Sequence, residues 1–340
     1  MAGRKTTYAD VAVAAGVSVG TVDRVINARG SVQPETEALV MHWARELRLD
    51  RALHQRPTRI LRLGVLLLNR ADPFLEALVG GLQKAVLDYR YLNLQVRVFE
   101  YGKLDARHIV EKITMVEQTC DGVAINAFDD PRIRLRLSEF TRLKPVFTLV
   151  SDLPNTNRIA YIGASGQIEG RVAGELMARF LGPAGGRIIL ISGPGSFLGH
   201  GSREFGFRSV LLERFPSCTV SASLQSFEDK RIIRRQVGLM LKRHPEIAGV
   251  YNTSVGSEEV GDVLRNLGRE HSTVFITHEL TEENRRMLQN GILDAVIDQD
   301  PAGEARMLVQ SFLSFYGRLE PERTETGFRI YIRESCSLLP

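Results

Sequence analysis

From residue 61 onward the chain alternates short, unbroken apolar runs with amphipathic stretches, and this alternation leaves few folds open to it. LRLGVLLLN, LQVRVF, GVAIN and PVFTLV read as strands, with helices near 74–89, 106–118 and 132–143 between them. A second series follows: RIIL, CTVSASL, GVYN, TVFIT and AVI, each succeeded by a helix, the first from about Arg203 and the second from about Lys230. Runs that are apolar throughout belong to strands buried on both faces. Repeated strand–helix units build parallel sheets with helices on both sides. There are enough units for two doubly wound lobes of similar size. Such sheets bind ligands at the carboxyl ends of their strands, so two facing lobes would place a site in the cleft between them.

At 340 residues the chain is expected to hold two or three compact units. Its 25% charged and 44% apolar residues fit a soluble globular protein. The longest apolar run, Leu61 to Leu68, contains Arg62 and falls short of the ~18–20 residues that span a bilayer. The opening MAGRKTTYADVA has charge but no apolar core, so no secretory signal is expected and a cytoplasmic location is. The three cysteines, Cys120, Cys218 and Cys336, show no CxxC spacing, which argues against a zinc site or a disulfide framework. No metal or cofactor is expected. SGPGSFLGHG lacks the Gly-Lys-Ser/Thr of a P-loop and reads as a strand-end loop whose glycines let backbone approach a ligand. Without a nucleophile elbow, P-loop or metal set, an enzyme is not expected.

The first sixty residues follow a different pattern. Thr7 suits the N-cap of a helix through Val11 and Ala14, and Gly16 ends it. Ser18 caps a second helix, Val19 to Asn27, with Val22, Val25 and Ile26 on one face and Gly20, Thr21, Asp23, Arg24 and Asn27 on the other. A third helix starts near Pro34 and carries Val40, Trp43, Ala44 and Leu47. Three short helices with a tight first turn describe a helix-turn-helix. The charge agrees: residues 1–62 hold ten Lys/Arg and six Asp/Glu, whereas the remaining 278 hold 34 of each. A basic module on a neutral body is the electrostatic footprint of a nucleic-acid binder.

ADVAVAAGVSVGTVDRVIN followed by a Pro-Glu-Thr helix start resembles the DNA-binding head of the lactose-repressor (LacI/GalR) family, over residues 5–50. The resemblance implies that the second helix enters the major groove. The implied DNA-facing residues are Thr7, Ser18, Val19, Gly20, Thr21, Asp23, Arg24 and Asn27. Arg24 is the one suited to guanine, because its fork matches O6 and N7. Two features depart from the family. Asp23 replaces a small polar residue and must accept from a cytosine amine or pair with a neighbour such as Arg24. The hinge, RLDRALHQRPTRILR, lacks the family's Tyr-x-Pro-Asn pattern, and Pro57 would interrupt a helix there. Its arginines, Arg48, Arg51, Arg56, Arg59 and Arg62, are expected on backbone phosphates, and whether the hinge also inserts into the minor groove is left open.

The body resembles the same family's sensor, which shares its fold with periplasmic sugar-binding proteins. LLLNRADPF, DGVAINAFDD, the crossover VSDLPNTNRIAYIGASGQIEGRVAGELM, GVYNTSVG, VFITHE and VIDQDP carry the likeness. It implies an all-α helix-turn-helix head on an α/β sensor of two doubly wound parallel-sheet lobes. The boundaries are 1–50 for the head, 51–60 for the hinge and 61–340 for the sensor. One lobe takes about 61–162 and 300–325, the other about 163–298 and 326–340. The expected effector residues are Phe74, Asn126, Asp152, Arg203, Asn252, His278, Glu279 and Gln299. Their amides, carboxylates, imidazole and guanidinium can meet hydroxyls, and Phe74 a sugar's C–H face. A monosaccharide or sugar alcohol is the first expectation, and Arg203 with His278 leaves a phosphorylated or acidic sugar open.

The expected partners are a pseudo-palindromic double-stranded DNA operator, a polyhydroxylated effector and a second copy of the chain, with a tetramer left open. Effector binding would bias a two-state equilibrium that sets DNA affinity, most simply as a repressor. The rival readings are a solute-binding protein with an incidental basic head and a sugar-processing enzyme.

Overall fold

The computed structural model describes residues 6–27, 29, 32–47, 49, 59–68, 73–102, 105–193, 197–226, 229–320 and 326–336. The head holds α1 (Tyr8–Ala15), α2 (Val19–Ile26) and α3 (Pro34–Glu46). Thr7 and Asp10 form a reciprocal capping box at the start of α1. Gly16 stops the helix at φ 65°, a left-handed conformation that glycine adopts without strain. That turn lets Val11, Ala12 and Ala15 of α1 bury against Val22 and Ile26 of α2 and Val40 and Ala44 of α3. The core is small, so it needs its close-packing alanines.

The first lobe follows as β1 (Leu61–Leu68), α4 (Pro73–Asp88), β2 (Leu94–Tyr101), α5 (Ala106–Thr119), β3 (Gly122–Ile125), α6 (Pro131–Phe140), β4 (Val146–Leu149) and β5 (Ala160–Ile162). Its strands pair in parallel in the order β2-β1-β3-β4-β5. The second lobe holds α7 (Gly166–Leu181), β6 (Gly186–Ser192), α8 (Leu198–Arg214), β7 (Cys218–Gln225), α9 (Lys230–Arg243), β8 (Ile247–Asn252), α10 (Ser257–Asn266), β9 (Val274–His278), α11 (Glu282–Gln289) and β10 (Ala295–Asp298). The chain then makes α12 (Pro301–Phe315), β11 (Arg329–Tyr331) and α13 (Arg333–Cys336). The second sheet runs β11-β10-β9-β8-β6-β7, parallel except for β11 against β10.

α12 belongs to the first lobe, where Leu308, Val309, Phe312 and Leu313 enter the core with the β1, β3 and β4 side chains. Gly81 of α4 makes this docking possible: a Cβ there would lie 2.9 Å from the Ala305 Cβ. The chain therefore passes between the lobes after β5, before α12 and again before β11. In each sheet the strand order reverses beside the first strand, so both switch points, β1/β3 and β6/β8, open toward the carboxyl ends.

Several elements differ from the sequence reading. β3 and β4 are buried throughout, but β2 and β7, at the sheet edges, are mostly half-buried or exposed, and only β7 alternates regularly. β5, β11 and α13 are too short to show a periodicity. α8 begins at Leu198 rather than Arg203, because Gly199 and Gly201 take ordinary helical conformations instead of forming loop. Among the described residues no helix is long and apolar enough to cross a membrane.

Candidate functional site

In the head, α2 presents Ser18, Val19, Gly20 and Arg24 to solvent while Val22 and Ile26 hold it to the core. Ser18 caps α2 by accepting from the Thr21 N–H at 3.1 Å, and its hydroxyl lies 2.9 Å from that of Thr21. Arg24 folds back along its own helix, with Nε donating to the Gly20 carbonyl at 3.2 Å. Asp23 takes the second of its two expected uses and pairs with neighbours. It does not pair with Arg24; it accepts from Asn27 Nδ2 at 2.6 Å and from Arg29 Nη1 at 2.9 Å. Arg29 stands six positions along the chain from Asp23. The Thr7 hydroxyl is occupied at Asp10 Oδ2. Arg59, expected on phosphate, is instead 2.5 Å from Asp121 of the body, and Arg62 lies within β1. Arg48, Arg51, Arg56 and Pro57 lie outside the described residues.

Between the lobes lies a cavity of about 440 Å³, with a smaller one of about 80 Å³ beside it. Leu68 and Asn126 reach it from β1 and β3, and Thr253, Ser254, His278, Glu279 and Gln299 from the β8, β9 and β10 ends. Phe197, His200 and Arg203 come from the start of α8, and Phe74 from α4. Six of the eight expected residues thus line it: Phe74, Asn126, Arg203, His278, Glu279 and Gln299.

Asn252 and Asp152 do not line it. Asn252 is fully buried and spends its amide inside the β8–α10 turn, donating to the Ser254 carbonyl and Ser257 Oγ at 3.0 Å each, while its Oδ1 accepts from the Ser254 N–H. It shapes the loop that carries Thr253 and Ser254. Asp152 accepts from the Thr148 hydroxyl at 2.7 Å and pairs with Arg158 at 2.5 Å. Both are strand-end polar residues used as turn fasteners.

The electrostatic centre is Arg203, which is almost wholly buried. Its Nε meets Glu169 Oε2 at 2.9 Å and its Nη2 meets Glu279 Oε1 at 3.4 Å. Gln299 Nε2 donates to the same Glu279 oxygen at 2.5 Å. Burial opposes the Arg203 charge, but the two carboxylates more than offset it, so the guanidinium pKa rises. The contact with Glu169 exists because α7 and α8 pack at backbone distance. A Cβ on Gly170 would lie 2.0 Å from the Arg203 carbonyl oxygen, and one on Gly206 would lie 2.1 Å from that of Gln167.

Two neutral histidines flank this pair. His200 Nδ1 donates to the Thr253 carbonyl at 2.9 Å, and burial pushes its pKa down to about 4. His278 is driven well below the usual imidazole range by burial and then by Arg203. Its Nε2 lies 2.8 Å from the Tyr251 hydroxyl. Burial keeps that phenol protonated, and His278 Nδ1 has no hydrogen-bond partner among the described residues. Glu279 sits in the left-handed region at φ 63° and is raised by burial to about 8, against the pull of Arg203. Behind it Glu304, in the first turn of α12, is fully buried with neither oxygen hydrogen-bonded among the described residues. Burial, then Glu279 and Glu169, raise its pKa well above the usual range.

A stability consequence follows from Glu304. Its folded-state pKa exceeds the unfolded one, so above the usual carboxylate range the folded chain keeps a proton that the unfolded chain has released. Stability therefore falls as pH rises through that window. Glu304→Gln is expected to match the wild type near pH 4.5 and to exceed it increasingly above, by up to about 1.4 kcal/mol per pH unit. Paired thermal melts from pH 4.5 to 8.5 check this; a constant difference would contradict it.

Phe197, His200 and Glu169 were not among the expected residues. Phe197, His200 and Arg203 recur at three-residue spacing, a helical signal hidden by the glycines of LGHG. Phe197 meets Phe128 of the other lobe edge-to-face, with centroids 6.4 Å apart. Glu169 gave no local signal, because its partner lies 34 residues away.

Residues 7–48 match the family described as bacterial regulatory proteins, lacI family, and residues 63–314 match the periplasmic binding protein domain. The chain belongs, through its body, to the periplasmic binding protein domain family, and it carries a lacI-type DNA-binding head. It is similar to the ribose operon repressor of Halalkalibacterium halodurans, 25% identical over 255 residues, which cover 73% of this chain and 72% of that one. It is likewise similar to the maltose regulon regulatory protein MalI of Escherichia coli, 25% identical over 270 residues covering 74% and 73%. Among solved structures, a solute-binding protein from Burkholderia graminis in complex with D-arabinose superposes with a TM-score of 0.75 at 19% identity, over 84% of this chain and 99% of that one. The glucose-galactose binding protein GanP from Geobacillus stearothermophilus gives 0.73 at 18%, over 82% and 99%. These two likenesses establish the fold. The regulator thus joins a lacI-type DNA-binding head to a two-lobed binding body, and the families it matches are regulators and binding domains rather than enzymes.

Proposed function

We propose that this regulator is a repressor whose affinity for a pseudo-palindromic operator is set by a polyhydroxylated effector in the interlobe cavity. The observation that carries the reading is the cavity itself, about 440 Å³ in volume and lined by convergent polar side chains and two phenylalanines. That volume suits a monosaccharide-sized ligand. Phe74 and Phe197 offer apolar faces, and Gln299, Thr253, His278 and Glu279 offer hydrogen bonds. The curated relatives named for ribose and maltose regulation point to the same class. Because the cavity is walled by both lobes, an effector that contacts both favours one closure angle, and the heads follow. The exposed α2 residues, with Arg24 foremost, read the operator half-site, and a dimer supplies the second head. Light scattering of the full chain at twice its own mass tests the dimer; a monomer at working concentration contradicts it.

The effector reading is tested by thermal shift against sugars and sugar alcohols. A true effector at about 100 times its Kd should stabilise by about 2.7 kcal/mol, several degrees in Tm. Gln299→Ala and Phe74→Ala should lose most of that shift. A shift unchanged in both variants would remove the effector from this cavity.

A further inference from the structure

The cavity is short of positive charge. Among the described residues its walls carry Glu258, Glu259, Glu279 and Glu283, and Glu169 lines the small adjoining cavity, against Arg203 and Lys230. Arg203 is already held by Glu169 and Glu279, and the Glu169 carboxylate at 2.9 Å balances its charge before any ligand arrives. The two cavity histidines are neutral for reasons of burial. Acceptors, by contrast, are left over. Among the described residues Glu169 Oε1 and Glu259 Oε2 are buried with no hydrogen-bond partner, Glu169 is 1% exposed, and Glu279 Oε2, equally without one, becomes an acceptor once that carboxyl ionises. Unpaired acceptors in a desolvated site call for donors, and a surplus of carboxylates calls for a cation.

We propose that the effector is a polyol bearing a protonated amine, an amino sugar or amino alcohol, and that sugar phosphates and sugar acids are rejected. This rests on reading the cleft as a polyol site and narrows it. The ammonium donates three hydrogen bonds, which the free oxygens of Glu279 and Glu169 can accept beside Arg203, while Phe197 packs on the ligand's C–H face. In the empty site burial favours the neutral form of Glu279. A bound ammonium supplies the charge that lets this carboxyl ionise. An anionic group would face the same carboxylates unscreened, and it displaces no cation that could compensate.

The test is titration calorimetry of the full chain with matched sets in the gluco, galacto and manno series: the 2-amino sugar, the parent hexose, the uronate and the 6-phosphate. In the series that binds, the amine should bind at least tenfold tighter than the hexose, and the two anions at least tenfold weaker. Glu279→Gln should bring the amine-to-hexose ratio close to one, and Glu259→Gln, at the half-exposed wall, should lower it severalfold. A hexose that binds as tightly as its amine, or an anion that binds tightest, overturns the proposal while leaving the polyol reading in place. No binding in any set overturns both.

Discussion

Arg203→Ala is expected to destabilise the body by about 3–5 kcal/mol, the usual cost of removing one partner of a buried ion pair. The cost is high because Glu169 has no other hydrogen bond among the described residues and cannot reach water. Arg203→Lys should recover little. The native contacts use Nε for Glu169 and Nη2 for Glu279, and one ammonium cannot occupy both positions. Part of the loss should return at low pH, where the abandoned carboxyls take up protons. Urea melts at pH 7 and pH 5 check both statements. A loss below about 1 kcal/mol at pH 7 would mean that the pair is not buried in solution as described.

Gly206→Ala and Gly170→Ala are the second pair of large effects. Each methyl would sit about 2 Å from a carbonyl oxygen of the facing helix. Backbone cannot rotate away as a side chain can, so the helices must separate, at a cost of about 1–3 kcal/mol or more. Separation also pulls Glu169 away from Arg203, so effector affinity should fall with stability. Gly201→Ala is the matched control on the same helix. Its Cβ meets nothing within 4 Å, and the change should be neutral or stabilising by up to about 1 kcal/mol. Equal losses at all three positions would contradict the close crossing as their cause, because Gly201 has no facing backbone to meet.

The features legible in the sequence are those set by neighbours. The head's caps, Thr7, Gly16 and Ser18, act within three or four residues, and the apolar runs of β1, β3 and β4 signal their own burial. Strand-end polar residues are visible in the sequence by place but not by use. Asn252 and Asp152 sit at strand ends beside the cleft, yet local partners claim their hydrogen bonds. No sequence pattern separates a turn fastener from a ligand-facing amide, because both stand just past a strand. The charge network escaped for a different reason. Glu169, Arg203, Glu279 and Glu304 come from four elements and meet only when the lobes fold. Arg203 alone suggests an anion site; with its two carboxylates it suggests the reverse. Asp23 was open between a cytosine amine and a neighbour such as Arg24, and in the head Arg29 is the neighbour that satisfies it.

The central claim is that α2 reads DNA and the cleft controls that reading. The most direct test is selection of randomised duplexes by the full chain, repeated with Arg24→Ala. The expected result is an enriched sequence of two inverted half-sites, with preference lost at one position per half-site in the variant and a cost of about 1–3 kcal/mol there. Addition of the effector found by thermal shift should change the yield of bound duplex. No enrichment, or an identical enriched sequence from the variant, would contradict the account.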